Sequence, residues 1–445
     1  MVNGSLWGKI LKFSLLYMAT AVLQHLYSAA DIIVVGRFAG QDALAGVGTC
    51  AFLMNLFLNF ILGLSAGATV VLGQAIGAEN KTEISNVTHT SIAFAIVGGF
   101  IISAICLLFT EPLLNMIDVP ADVMPQAILY LRIMSIGYIP SLLYNFGASI
   151  LRAKGDTKRA LYIVTISGLI NVLLNLFFVC VLKMKADGVA TATIISQTFT
   201  AIAILYVLAN ESDEIRLDFK KIRFYKAPFL KIVRYGIPSG IQSSIYSISN
   251  ILVQTSINSF GSAATAGSAA CSSITDFYNV MANSIYQASI VFTSQNFGAK
   301  CFERIKKIVY ICMTYAVVIW LLQSSVTFFF GEALITLYAP DNPDVIEMGW
   351  RKLGFIGYAY GLLGFMNILS GLLRGIGASW INMITSIVGV CGIRILWIMT
   401  AFKAIGTFES LFACYPLSWL GTSILHIIMF AYVFKKEKRK YEARA

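Results

Sequence analysis

The sequence predicts an all-α membrane protein of about twelve transmembrane helices arranged as two pseudo-symmetric six-helix lobes. Composition is the first ground. The 445 residues are 58% hydrophobic and 12% charged, with a mean hydropathy of +0.76, about half the charge fraction of a soluble chain. The second ground is spacing, because turn and charge clusters separate twelve apolar runs, each at or above the ~20 residues that cross a bilayer. The third is that the second half of the chain repeats the first.

The runs lie near 10–38, 42–76, 84–109, 124–152, 158–182, 186–209, 228–258, 262–297, 306–330, 345–374, 379–403 and 408–434. The opening MVNGSLWGK leads into an apolar stretch longer than the ~7–15 residues of a signal-peptide core, and reads as a retained first helix. Nine prolines and 35 glycines are spread through the runs, as transmembrane helices permit. The eight cysteines, Cys50, Cys106, Cys180, Cys271, Cys301, Cys312, Cys391 and Cys414, have no metal-ligand or redox spacing and read as small apolar packing residues. A mixed-charge stretch, NESDEIRLDFKKIRFYK, divides the chain. The expected domains are a six-helix lobe at 1–209, a cytoplasmic connecting loop at 210–227, a second six-helix lobe at 228–434 and a basic cytoplasmic tail at 435–445.

The net charge of +11 points to nucleic acid only if the basic residues form one patch. They do not. With the runs taken as alternating spans, 25 of the 33 Lys and Arg fall on the side of the N-terminus, 7 on the other, and Arg394 inside a span. That is the positive-inside pattern of a multi-pass protein of the cytoplasmic (inner or plasma) membrane with both termini cytoplasmic. The acidic loops around Glu111, Asp118 and Asp122, and around Asp341, Asp344 and Glu347, then face outward.

A shift of 221 residues superposes Gly40 on Gly261, Ala43 on Ala264, Gly46 on Gly267, Cys50 on Cys271, Gln74 on Gln295, Gly77 on Gly298, Ala78 on Ala299 and Ile84 on Ile305; a shift of 222 places Leu151, Arg152 and Gly155 on Leu373, Arg374 and Gly377. Six spans per unit make the repeats parallel, and substrate sites in such folds lie between repeats.

Charges inside spans are costly and mark functional candidates. On the first run Tyr17, Thr20, Gln24, Ser28 and Asp31 recur at spacings of three and four and form one polar face. The seventh run echoes it with Ser239, Gln242, Tyr246, Ser249 and Ser256. At 1.5 Å per residue, Asp31, Asn175 and Thr193 share a depth of about 10 Å below the outer surface, with Asn171 one turn deeper. These four make a candidate cation or proton site. Asp276 lies near the midplane, and its repeat partner is Asn55. With Gln24, Tyr27, Ser28, Asn55, Gln242 and Tyr246 it makes a candidate substrate cavity, in which Tyr27, Tyr144, Tyr246 and Tyr278 offer π faces to a cationic ligand. His25, His89 and His426 stand on separate runs and read as structural or interfacial. Arg152, Arg374 and the KGDTKR run from Lys154 to Arg159 read as facing lipid headgroups.

DIIVVGRFAG at 31–40, GQAIGAEN at 73–80, ILRAKGDTKRA at 150–160, NVLLN at 171–175, GVATATIISQ at 188–197 and LLRGIGAS at 372–379 together resemble the multidrug and toxic compound extrusion (MATE) family over essentially the whole chain. The resemblance implies antiport of amphipathic, cationic drugs or metabolites against protons or sodium by alternating access between two lobes. It carries the family's cation-site aspartate onto Asp31, its sixth-helix threonine onto Thr193, and its Asn-x-x-x-Asp onto Asn171 and Asn175. The second carboxylate is an amide here, which weakens the site for a hard cation such as sodium. The proline usual in the family's first helix is also missing, with Leu16 or Tyr17 in its place.

A lipid-linked saccharide flippase of the same superfamily would need basic residues for pyrophosphate, and Arg394 is the one deep basic residue that this reading finds. A membrane-embedded enzyme would need a nucleophile with its base or a metal cluster, and the histidines are dispersed. The expectation is a monomeric transporter with no catalytic residues, metal or cofactor, whose partners are small organic cations, H+ or Na+, and membrane lipids. A channel differs from it by flux that is not stoichiometrically coupled to a counter-ion.

Overall fold

The computed structural model describes residues 1–34, 41–117, 119–121, 123–338, 340 and 342–443. Asp118, Asp122 and Asp341 of the acidic loops, and residues 35–40 of the DIIVVGRFAG stretch with Gly40, lie outside the described residues. All regular structure among the described residues is helical.

Twelve long segments follow one another. The first six are Leu6–Val34, Gln41–Gly77, Lys81–Leu108, the bent pair Met124–Ile136 and Tyr138–Lys154 (43°), Lys158–Val181 and Ala186–Ala209. The second six are Lys226–Asn258, Ser262–Gly298, Phe302–Thr336, Pro343–Gly375, Ser379–Ile405 and Phe408–Glu442. They are called the first to twelfth spans below. Nine of them, and the bent pair as a tenth, are apolar enough to cross a membrane among the described residues. The seventh and eighth are as long but carry many Ser, Thr, Asn and Gln side chains. The first span is one continuous α-helix. The twelfth runs on to Glu442, so residues 435–442 are its last two turns.

Helix ends follow local chemistry. Asn80 caps the third span by accepting from the Glu83 N–H (3.0 Å), and Asn342 caps the tenth by accepting from Val345, with Pro343 in the first turn. The repeat is written in the backbone as well. Glu79 and Lys300, 221 residues apart, both adopt positive φ (53° and 58°), and so do Gly155 and Gly377, 222 apart (103° and 84°). Left-handed residues end helices, so the two halves stop their spans in the same way. The π-helical stretches Phe177–Val181 and Ile398–Phe402 also fall at equivalent places.

The chain divides into two compact units, Ala19–Gly240, and Met1–Met18 with Ile241–Ala445. In the first unit, Ile61, Leu64, Leu72, Val87, Leu142, Phe146, Ile204 and Ile232 form one buried cluster. There Gly67 packs on Gly236 so closely that an added methyl carbon would lie 2.5 Å from the Gly236 nitrogen. In the second unit Ile10 and Phe13 of the first span pack with Phe292, Ile308, Ile311 and Leu369. A second glycine pair, Gly267 and Gly349, brings the eighth and tenth spans into backbone contact.

The connection between the sixth and seventh spans holds a single 3-10 turn, Phe219–Lys221, and is tied to the first unit by charge. Glu211, 7% exposed, pairs with Lys154 (2.9 Å) and Arg159, and Lys154 also meets Asp213 (2.6 Å). Lys154 and Arg159, expected at lipid headgroups, thus clamp the connection instead. His89 adds a second tie by accepting from the Asp218 N–H (3.0 Å). Glu211→Gln leaves both cations without their shared partner. It is expected to raise the rate of tryptic cleavage within 212–226 by about tenfold, the size of a local opening made easier by ~1.4 kcal/mol. An unchanged cleavage rate in the folded variant counts against the clamp.

Candidate functional site

Asn171 and Asn175 stand four residues apart on the fifth span and so share a face. Asn175 Nδ2 donates to Asn171 Oδ1 (3.2 Å) and to the carboxylate of Asp31. Asn171 Nδ2 in turn donates to Thr193 Oγ1 (3.5 Å), whose own hydroxyl donates to the Val189 carbonyl (2.9 Å). The four residues matched by depth are therefore brought together as one chain of hydrogen bonds across the first, fifth and sixth spans. Asn175 is fully buried and Asn171 is 5% exposed. One acceptor is left over: Asn175 Oδ1 is buried without a hydrogen-bond partner among the described residues.

Sequence reasoning missed how this seam continues. One turn deeper, Ser167 Oγ donates to the Ser196 carbonyl (2.8 Å) and accepts from Thr200 (2.6 Å). Tyr27 is half-buried. Its ring occupies the space above Gly168, and its hydroxyl donates to the Thr165 carbonyl (3.1 Å). It docks the first span on the fifth one turn from Asp31. Gln24, Ser28 and Asn55 are exposed.

The second unit holds a different kind of polar interior. Gln242 is 3% exposed and has its amide fully engaged. Its Oε1 accepts from Arg374 (2.8 Å) and Asn382 (3.0 Å), while its Nε2 donates to Ser386 (2.9 Å) and to the Tyr246 hydroxyl (3.2 Å). Ser386 also meets His426, which is fully buried (3.1 Å). Gln242 is thus the centre of a network within its own unit, not an open cavity wall, and Tyr246 is half-buried beside it. Arg374, expected at the headgroups, is 5% exposed and lies over the Tyr286 ring. Its repeat partner Arg152 is half-buried and donates to Ser149.

Two further cations are buried here. Arg394 donates to Asn250 (2.8 Å) and Ser418 (3.2 Å) under the Tyr415 ring. It stands in a single α-helical turn between two π-helical stretches, Ile387–Gly392 and Ile398–Phe402, a geometry frequent at functional positions. Lys352 is 4% exposed and donates to the Ser268 carbonyl (3.1 Å), Ser268 Oγ (2.6 Å) and Ser272 Oγ (3.0 Å). It counts among the outer-loop basic residues in the charge distribution, and Arg394 is therefore not the one deep cation. The signal that would have found it is the Ser268, Ser272, Asp276 stripe at spacings of four. Asp276 itself is exposed.

A family model described as MatE matches residues 17–177 and 238–400. The Probable multidrug resistance protein YoeA of Bacillus subtilis is 25% identical over 98% of this chain and 95% of its own length. Two solved structures share the fold. An outward-facing multidrug resistance MATE family transporter has a TM-score of 0.90 at 21% identity, covering 98% of each chain. A MOP superfamily transporter from Pyrococcus furiosus, noted for a binding pocket of reverse polarity, has a TM-score of 0.91 at 21% identity, again over 98% of each chain.

Proposed function

The chain belongs to the MatE family, and from that premise we propose that it is a secondary antiporter exporting amphipathic organic cations in exchange for protons by alternating access. The observation that carries this reading is the hydrogen-bonded chain from Asp31 through Asn175 and Asn171 to Thr193, which contains one carboxylate. Export is from the cytoplasm, with both termini inside, and the excess of basic residues on the side of the N-terminus supports that orientation.

The arrangement favours protons over sodium. A hard cation needs several oxygens converging on it, and here an N–H of Asn175 points at the carboxylate instead. Protonation turns Asp31 from an acceptor into a donor. The buried Oδ1 of Asn175 is the acceptor it then needs, and half a turn of the amide presents it. The amide therefore registers the state of the carboxylate and passes the change to Asn171. The exposed carboxylate of Asp276 in the second unit serves as a contact for the cationic cargo.

Reconstitution tests this directly. In proteoliposomes, a pH gradient is expected to drive export of tetraphenylphosphonium and a sodium gradient alone is not; equal driving by sodium removes the proton reading. Asn175→Asp replaces the inward-pointing N–H by a second carboxylate, and sodium alone is then expected to drive export. Failure of sodium to do so in a folded, substrate-binding variant counts against this site as the coupling site.

A second reading, in which the cargo carries an anionic group, is favoured by Lys352, Arg374 and Arg394, each 4–5% exposed within the second unit. It predicts that an anionic dinucleotide competes with tetraphenylphosphonium for export. Absence of competition leaves the cationic reading alone.

A further inference from the structure

A buried ammonium is costly unless a negative group balances it. Lys352 is such a group, and all three of its hydrogen bonds go to neutral oxygens of Ser268 and Ser272. Among the described residues no carboxylate stands within ion-pair distance of it. The serines continue into a third polar residue. Ser268, Ser272 and Asp276 follow at intervals of four on the eighth span and share one face. From Ser272, which Lys352 already touches, Asp276 is one helical turn further, about 5.4 Å, a distance that rotation of a four-carbon side chain covers.

The helices are built to hold this register. Gly267 and Gly349 are in backbone contact, so the eighth and tenth spans cannot slide past one another without a clash. Lys352 stands one turn beyond Gly349, and Ser268 follows Gly267 directly. The lysine is thereby fixed at one end of the serine stripe with the carboxylate at the other. The first unit has no counterpart, because a shift of 221 places Val47, Ala51 and Asn55 opposite Ser268, Ser272 and Asp276.

We propose that Lys352 is a built-in competitor for the cationic cargo, an intramolecular cation that takes Asp276 when the site is empty and retires to Ser268 and Ser272 when cargo binds. The structure holds the retired position. Such a device sets a threshold that only a cation able to displace the lysine crosses. The inference rests on the reading of Asp276 as a cargo contact.

The test is equilibrium binding of tetraphenylphosphonium to the full-length protein in lipid nanodiscs. Lys352→Met is expected to raise affinity about tenfold, and Lys352→Gln, which keeps a hydrogen-bonding side chain without the charge, to raise it likewise. Neither change is expected to alter affinity in an Asp276→Asn background. Ser268→Ala removes the hold on the retired lysine and is expected to lower affinity, but not when Lys352 is already Met. A lysine that merely braces the helices gives the opposite sign, with affinity falling in both lysine variants. If Asp276→Asn weakens binding while folded Lys352→Met and Lys352→Gln leave it unchanged or weaker, the competitor is overturned and the cargo contact stands. If Asp276→Asn leaves binding unchanged, the cargo contact itself fails and the competitor with it.

Discussion

Asp31→Asn is expected to abolish export driven by a pH gradient while leaving the protein folded and able to bind tetraphenylphosphonium. The structural part of this expectation follows from the buried amide beside it. The oxygen of a new Asn side chain accepts from Asn175 Nδ2 as the carboxylate does. The tie between the first and fifth spans is kept, so the cost in stability stays small. The functional part follows from linkage. A gradient biases the two orientations of a carrier only through a group whose proton affinity differs between them, and a ligand of equal affinity for both states shifts nothing. An amide at position 31 does not titrate. Proton-driven export is expected to fall on the order of 100-fold, the loss that follows when the bias of a few kcal/mol between states is removed. Reconstitution with imposed gradients, alongside binding to the same preparation, separates the two parts. Undiminished export by the variant would end the proposal that Asp31 couples.

Much of the fold was legible because a bilayer leaves few choices. A run of apolar residues longer than the hydrocarbon core must be helical, with its backbone satisfied internally, and all twelve runs correspond to helices. The repeat was legible for a similar reason. Gly155 and Gly377 occupy left-handed positions that end their spans, where a side chain is strained, so the residue type marks the geometry twice. The Asp31 group was legible because two regularities met in it. Helical spacing put Asn171 and Asn175 on one face, and depth put Thr193 and Asp31 at their level.

What stayed hidden depended on partners remote in sequence. Periodicity says which face of a helix a side chain takes but not what that face meets. Gln242 read as part of a polar stripe, yet its partners Arg374, Asn382 and Ser386 come from two other spans. Arg374 sits at the end of a run, where a snorkelling arginine is the ordinary case, and nothing local distinguishes one that is buried. Lys352 was hidden by its place near the start of the tenth run, where a charge reads as part of the adjoining outer loop. The backbone contact between Gly349 and Gly267 carries the lysine inward. The seventh and eighth spans show the same limit from the other side, since their polar faces lower the hydropathy of helices that are as long as the rest.

The Gln242 network yields the largest expected effect on stability. Its single carbonyl oxygen accepts from both the Arg374 guanidinium and Asn382, and its nitrogen supplies Ser386 and Tyr246. Gln242→Leu keeps nearly the same volume and removes all four bonds at once. The guanidinium of Arg374, 5% exposed, then retains the face of the Tyr286 ring at 5.6 Å, which offsets only part of the loss. Leaving a buried charged group without this hydrogen-bond partner costs about 3 kcal/mol, and the orphaned Asn382 adds about 1–3 kcal/mol more unless water enters. The variant is expected to accumulate poorly and to unfold at markedly lower temperature in detergent. The cost belongs to the uncompensated charge and not to the missing glutamine, so Arg374→Met in the same chain is expected to recover a large part of it. Both partners are then apolar, and the exchange approaches neutrality. Thermal unfolding of the two single variants and the double variant forms a closed cycle. A Gln242→Leu protein within about 0.5 kcal/mol of the parent, or a double variant no better than the single, would show that the network does not hold the second unit together.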